Sequence, residues 1–256
     1  MQVGLIGAGN MARALALGWG DPVLCSDNGS GRAAALVAEV GGEALSSAEV
    51  AERADLVVLC HKPAQFADIA KDLTGSAKAI ASVLGGVDTG LLRRAYQAPV
   101  FRLMPNTPVA IRRGVICYSP EGQVDRQLEA EVLELFGRLG TVVTVPEAQI
   151  AAATALMGVT PAYQALMTEA QVDAGVRRGL PARLAGELVV ETMAGTAELL
   201  KARDYDTLSV RREVTSPGGS TARGLAALER GGIRSAFDSA IDAVIDGGGT
   251  PGSGGR

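Results

Sequence analysis

Apolar residues in the first half of the chain fall into short runs separated by stretches with helical spacing. The runs Gln2–Ile6, Val23–Ser26, Leu56–Cys60, Ala79–Val83 and Val100–Leu103 read as strands. Met11–Trp19, Gly31–Val40, Ala48–Arg53, Phe66–Leu73 and Gly90–Ala95 lie between them and read as helices. This alternation predicts a mostly parallel sheet with helices on both faces. Two further runs, Val115–Tyr118 and Val142–Val145, flank a helical stretch at Arg126–Leu139 and are expected to extend the sheet at one edge.

After Pro146 the strand pattern stops. Residues 147–246 are rich in Ala, Leu, Glu and Arg, with breaks at Thr160-Pro161, Gly179–Pro181 and Ser216–Gly219. The expected organisation is an α/β domain over 1–146, a helical domain over 147–246 and a flexible glycine-rich tail over 247–256. A chain of 256 residues has room for both cores.

Charge and cysteine content narrow the function classes. Against 28 acidic residues there are 24 Lys and Arg, a net charge of −4 that gives no reason to expect a nucleic-acid partner. Cys25, Cys60 and Cys117 are odd in number and widely spaced, and read as buried free thiols in a reducing compartment. The apolar N-terminus lacks the basic start of a signal peptide. No later stretch offers about 18 uninterrupted apolar residues, so no membrane span is expected and a soluble, cytoplasmic protein is.

Two glycine-centred segments carry candidate chemistry. In Val3–Ala12, Gly7, Gly9 and Ala12 have the spacing of a dinucleotide fingerprint between a strand and a helix. Gly7 permits the turn, Gly9 lets a pyrophosphate approach the backbone around Asn10 and Met11, and Ala12 keeps helix and strand close. In Val214–Gly224, a loop broken at Pro217, Gly218 and Gly219 feeds a helix whose free N–H groups suit an anion. Read without further context, Ser216–Thr221 is also an ordinary helix cap.

Asp27 stands 20 residues after Gly7 at the end of the second strand and admits three readings. Its carboxylate can bond a ribose 2′-OH, favouring NADH, or cap the turn, while Arg32 beyond it suits the extra phosphate of NADPH. His61, the only histidine, precedes Lys62 and Pro63 at the strand end and reads as a lining position rather than a catalytic acid. With no second His and no clustered Cys or carboxylates, a metal site is not expected.

Taken together, Gly7–Ala12, Lys62-Pro63, Arg102–Pro108 (Arg-Leu-Met-Pro-Asn-Thr-Pro), Pro161–Tyr163 and Val214–Thr221 (Val-Thr-Ser-Pro-Gly-Gly-Ser-Thr) resemble pyrroline-5-carboxylate reductase, in the same order. The resemblance covers nearly the whole chain apart from the tail. It implies an α/β fold: an N-terminal Rossmann-type doubly wound sheet followed by an all-helical dimerisation domain, with dimers often assembled into rings. It also implies that NADPH or NADH reduces the cyclic imine of 1-pyrroline-5-carboxylate to L-proline. Carried onto this chain, Met104, Asn106 and Thr107 lie beside the nicotinamide. Ser216, Gly218, Gly219, Ser220 and Thr221 form the substrate loop, and Thr221 faces the imine nitrogen. In this family the site forms where one subunit's helical domain meets its partner's, so a monomer is expected to be inactive.

Two departures from the family pattern stand out. Met157-Gly-Val-Thr160 replaces a Ser-Gly-Ser-Gly-like stretch, and His61 stands where a small apolar residue is usual. The first motivates an alternative, an imine reductase acting on another cyclic imine acid such as a six-membered piperideine carboxylate. A non-catalytic dinucleotide-binding regulator shares the fold but leaves the Ser216–Thr221 loop unexplained. A β-hydroxyacid dehydrogenase is disfavoured: Lys201 is the only lysine after Pro146, and no Asn follows it.

Overall fold

The computed structural model describes residues 1–73, 75–120 and 124–247. Eight strands form one sheet: β1 (Val3–Ile6), β2 (Val23–Ser26), β3 (Gly42–Ala44), β4 (Leu56–Leu59), β5 (Ile80–Ser82), β6 (Val100–Pro105), β7 (Gly114–Ser119) and β8 (Gly140–Thr144). Their order is β3-β2-β1-β4-β5-β6-β7-β8, with every pair parallel except antiparallel β6–β7. The chain reverses its direction of travel between β1 and β4, which opens a crevice at the carboxyl ends of those strands. The expected doubly wound sheet is therefore present, and the two later runs do extend one edge.

Helices cover both faces because each presents one apolar side. On one face, α1 (Asn10–Trp19), α2 (Arg32–Val40) and α6 (Arg126–Gly137) bury Leu15, Trp19, Leu36, Val132 and Phe136 against Leu5, Val58 and Leu103. Trp19 meets Phe136 edge-on at 5.5 Å and donates its indole N–H to the Leu135 carbonyl at 3.0 Å. On the other face, α3 (Ser47–Arg53), α4 (Phe66–Leu73) and α5 (Thr89–Ala95) bury Val50, Phe66, Leu73 and Leu92 against Ile6, Val57, Leu59 and Ile80. Ser46 and Glu49 form a reciprocal cap at the start of α3.

After Thr144 the described chain is helical: α7 (Ile150–Met157), α8 (Thr160–Val176), α9 (Ala182–Ala202), α10 (Thr207–Glu213), α11 (Ser220–Arg230) and α12 (Ile233–Gly247). Compactness divides the chain later than Pro146. One unit spans Met1–Pro161 together with residues 245–247, and the other spans Ala162–Val244. Helix α7 belongs to the first because Ile150 is buried with Met104, Cys117 and Val145, and Ala153 and Met157 pack on the same cluster. Of the expected tail, Gly247 closes α12 and residues 248–256 lie outside the described residues.

In the second unit, among the described residues, only Ala185 and Val210 are buried. Leu166, Leu184, Leu188, Val190 and Leu228 are exposed. The run Glu147–Val176 is long and apolar enough, by length and composition, to cross a membrane. It is not one continuous helix, since α7 ends at Met157 and α8 starts at Thr160.

Candidate functional site

The fingerprint glycines stand where β1 turns into α1. Gly7 has φ +99°, and a side chain there would press to 2.8 Å from the His61 amide nitrogen. Its N–H bonds the Ser26 carbonyl at 2.9 Å, holding the turn against β2. Gly9 is the N-cap of α1; a side chain at this position would meet nothing within 4 Å. No side chain caps α1 and no acidic residue occupies its first turn, which contains Asn10 and Met11. The positive end of the helix is thus uncapped and open to a diphosphate.

A cleft of about 540 Å³ opens here, lined by Gly7, Ala8 and Gly9 after β1, Ser26–Asn28, Ser30 and Arg32 after β2, and Cys60–Lys62 after β4. Ile6, Ser47, Gln65, Ile69 and Asp72 complete it. Its size and position suit the adenosine diphosphate part of a dinucleotide. The sequence reading missed Asn28 and Ser30, whose only signal was their place in the loop after β2.

Asp27 lines the cleft, yet its carboxylate is engaged by its own loop. One oxygen accepts from the Gly29 N–H at 2.9 Å, the other from the Ser30 hydroxyl at 2.9 Å and the Ala33 N–H at 3.0 Å. The Ala33 amide, assisted by Ser30 and Gly29, holds this carboxyl below the usual range. Of its three readings, capping the turn into α2 is what the side chain does in this structure. Arg32 and Ser30 remain at the cleft wall.

His61 is 9% exposed, and its Nδ1 lies 2.9 Å from the Lys62 carbonyl oxygen. Burial lowers its pKa below the ordinary 6.5, so the neutral ring donates from Nδ1 and keeps Nε2 as a buried atom with no partner. Lys62 lines the cleft mouth, and Pro63 opens the short turn that leads to α4. Of the cysteines, Cys25 and Cys117 are buried and Cys60 is half-buried; burial pushes the Cys25 thiol up to about 12.

Met104, Asn106 and Thr107 follow one another at the carboxyl end of β6, outside this cleft's lining. Met104 is buried, Thr107 is exposed, and Asn106 is buried with its amide engaged on both sides. Asn106 Oδ1 accepts from the Val115 N–H at 2.8 Å and Nδ2 donates to the Met157 carbonyl at 3.2 Å.

The Ser216–Thr221 loop lies in the second unit. Gly218 has φ +69°, and the Gly219 N–H bonds the Ser216 carbonyl at 3.0 Å, making a tight turn into α11. Gly219 is the N-cap of α11, with no side-chain cap, so the first-turn N–H groups of Ser220 and Thr221 have no side-chain acceptor. Arg223 donates to the Gly218 carbonyl at 2.7 Å and keeps a positive charge at the loop. Thr221 is half-buried. A turn ending in the Gly219 N-cap is also what the plain reading of Ser216–Thr221 as a helix cap expects, with the cap made by backbone and not by a side chain.

Comparison with known proteins adds to this geometry. A family model described as pyrroline-5-carboxylate reductase dimerisation matches residues 147–248, and one described as NADP oxidoreductase, coenzyme F420-dependent, matches residues 2–86. The pyrroline-5-carboxylate reductase of Pseudomonas aeruginosa is 31% identical over 95% of this chain and 94% of its own. The crystal structure of 1-pyrroline-5-carboxylate reductase from Streptococcus pyogenes superposes with a TM-score of 0.89 at 30% identity, covering 97% of this chain and 98% of that one. The Plasmodium falciparum pyrroline carboxylate reductase, solved with NADP bound, gives a TM-score of 0.87 at 26% identity, covering 97% of each chain.

Proposed function

The chain belongs to the pyrroline-5-carboxylate reductase family, and we propose that it reduces 1-pyrroline-5-carboxylate to L-proline with NADPH or NADH. The observation that carries this reading is a pair of uncapped helix starts, α1 after Gly7–Gly9 and α11 after Ser216–Gly219. Each offers backbone N–H groups to an anion, one suited to a diphosphate and one to a carboxylate.

NADPH or NADH, when bound, would supply the hydride that the imine carbon takes up. The chain's own residues bind and orient. Helix α11 holds the substrate carboxylate on its first-turn N–H groups, with Arg223 adding charge. The Thr221 hydroxyl oxygen accepts a hydrogen bond from the protonated imine nitrogen. An iminium carbon already draws the hydride, so no strong acid is required and placement supplies most of the rate. Met104 and Thr107 would hold the nicotinamide in this reading. Ser30 and Arg32 favour the 2′-phosphate of NADPH, since Asp27 is committed to its own turn.

The same reading makes the protein a cytoplasmic homodimer. A helical unit with two buried residues and a run of exposed leucines lacks a core of its own, and a second copy supplies one. Sedimentation tests the dimer, and an integer multiple of its mass marks a ring of dimers.

The decisive assay follows NADPH and NADH oxidation with the five-membered imine acid beside its six-membered analogue. Turnover of the first with proline as product supports the proposal. Activity confined to the larger ring replaces the substrate and directs attention to Met157–Thr160. Silence on both overturns the enzymatic reading.

A further inference from the structure

Helix α7 lies along β6 and β7, fastened at both ends by side chains of β6 or its immediate extension. Before its start, Glu147 reaches back to Arg102, with Nε to Oε1 3.3 Å, and its other oxygen accepts from the Thr89 hydroxyl at 3.0 Å. At its end, the Met157 carbonyl accepts from Asn106 Nδ2 at 3.2 Å. Between the two ties, Met104 and Cys117 pack against Ile150, Ala153 and Met157.

Asn106 is the junction of this arrangement. Its backbone N–H bonds the Val115 carbonyl at 3.1 Å and its Oδ1 takes the Val115 N–H at 2.8 Å, which closes the β6–β7 connection. Its remaining polar group joins that closure to α7. With 8% of its surface exposed, it has its acceptor and one donor committed inside the protein.

We propose that Asn106 is a positioning residue: it fixes Met104 and the Met157 end of α7 relative to each other, so that the nicotinamide wall and the divergent Met157–Thr160 segment move as one piece. The proposal rests on the reductase reading and assigns Asn106 a role different from direct contact with the cofactor. A hydride-transfer site tolerates little displacement of such a wall, so loosening the tie lowers kcat more than it weakens cofactor binding.

Asn106→Asp and Asn106→Ala separate the possibilities. The first keeps the acceptor for Val115 and sets a carboxylate against the Met157 carbonyl; the second removes both bonds. In each, kcat is expected to fall about tenfold or more, with NADPH affinity within about twofold of wild type. Lowering the pH protonates the introduced carboxyl, which then donates to Met157, so Asn106→Asp regains activity at lower pH and Asn106→Ala does not. Loss of cofactor affinity parallel to kcat in both variants, or unchanged kcat, overturns the proposal.

Hydrogen exchange supplies a readout independent of turnover and of the substrate's identity. NADPH is expected to slow exchange over residues 150–158 in the wild type, and Asn106→Ala to abolish that effect while leaving protection at residues 5–13. Retained protection of 150–158 in the variant overturns the proposal, and so does its absence in the wild type. A wild-type protein that protects both segments but leaves the imine unreduced overturns the functional reading alone.

Discussion

Gly7 and His61, both lining the cleft, leave no room for a side chain between them: a methyl group on Gly7 would lie 2.8 Å from the His61 nitrogen and 2.9 Å from its Cα. That close approach joins the end of β4 to the turn that presents α1. It also separates two glycines that sequence spacing treats alike.

Gly7→Ala is expected to harm the fold itself. The substitution forces an L side chain into φ +99° and against backbone, costing roughly 1–3 kcal/mol. Gly9→Ala meets open space and keeps its stability, but puts a methyl where the diphosphate must approach. Its melting temperature is expected to match wild type while NADPH affinity falls about tenfold to a hundredfold. Equal melting temperatures for both variants would contradict the close approach.

His61 makes stability pH-dependent in a defined direction. Its folded-state pKa lies below the ordinary 6.5 because of burial, so the unfolded chain binds its proton more readily. The contribution is complete above pH 6.5 and is lost as pH falls through the folded value. As the only histidine, it is the only side chain expected to give this signature between about pH 7 and 5. Melting curves of wild type and His61→Val across that window test it: the variant is expected to be flatter, and parallel curves would remove His61 as the cause.

Arg32 is expected to set the preference for NADPH. Arg32→Ala removes a charge-assisted contact to the 2′-phosphate and is predicted to weaken NADPH binding about tenfold with NADH unaffected. Equal losses for the two cofactors would move the 2′-phosphate elsewhere. Asp27→Ser, by contrast, removes hydrogen bonds that hold the turn into α2 and is expected to weaken both.

Thr221→Ala is predicted to lower turnover roughly tenfold to a hundredfold while NADPH affinity stays within about twofold of wild type. Steady-state rates beside cofactor titration read this directly. A parallel loss of cofactor binding would make the loop structural.

Much of the α/β part was legible because its strands are apolar runs bounded by turn residues, and the fingerprint glycines lie between one of them and a helix. β3 escaped notice for a physical reason: Gly42-Glu43-Ala44 is an exposed three-residue edge strand whose only cause is pairing with β2. Asp27 could not be assigned from spacing, since the choice between ribose and turn depends on where the Gly29 and Ala33 N–H groups point. Pro146 marks the end of the sheet but not of the compact unit, because the apolar side of α7 finds its partners in Met104 and Cys117 far back in the chain. The commitment of the Asn106 amide to Val115 and Met157 likewise has no sequence signature.

Hydride delivery to the imine carbon leaves a label that isotope transfer reads without ambiguity. Purified protein is supplied with 1-pyrroline-5-carboxylate and nicotinamide cofactor deuterated at C4, using each face in turn. Proline is expected to carry one deuterium, on the nitrogen-bonded ring carbon that does not bear the carboxylate, from one of the two labelled faces. Unlabelled proline from both, or no proline while the cofactor binds normally, would contradict it.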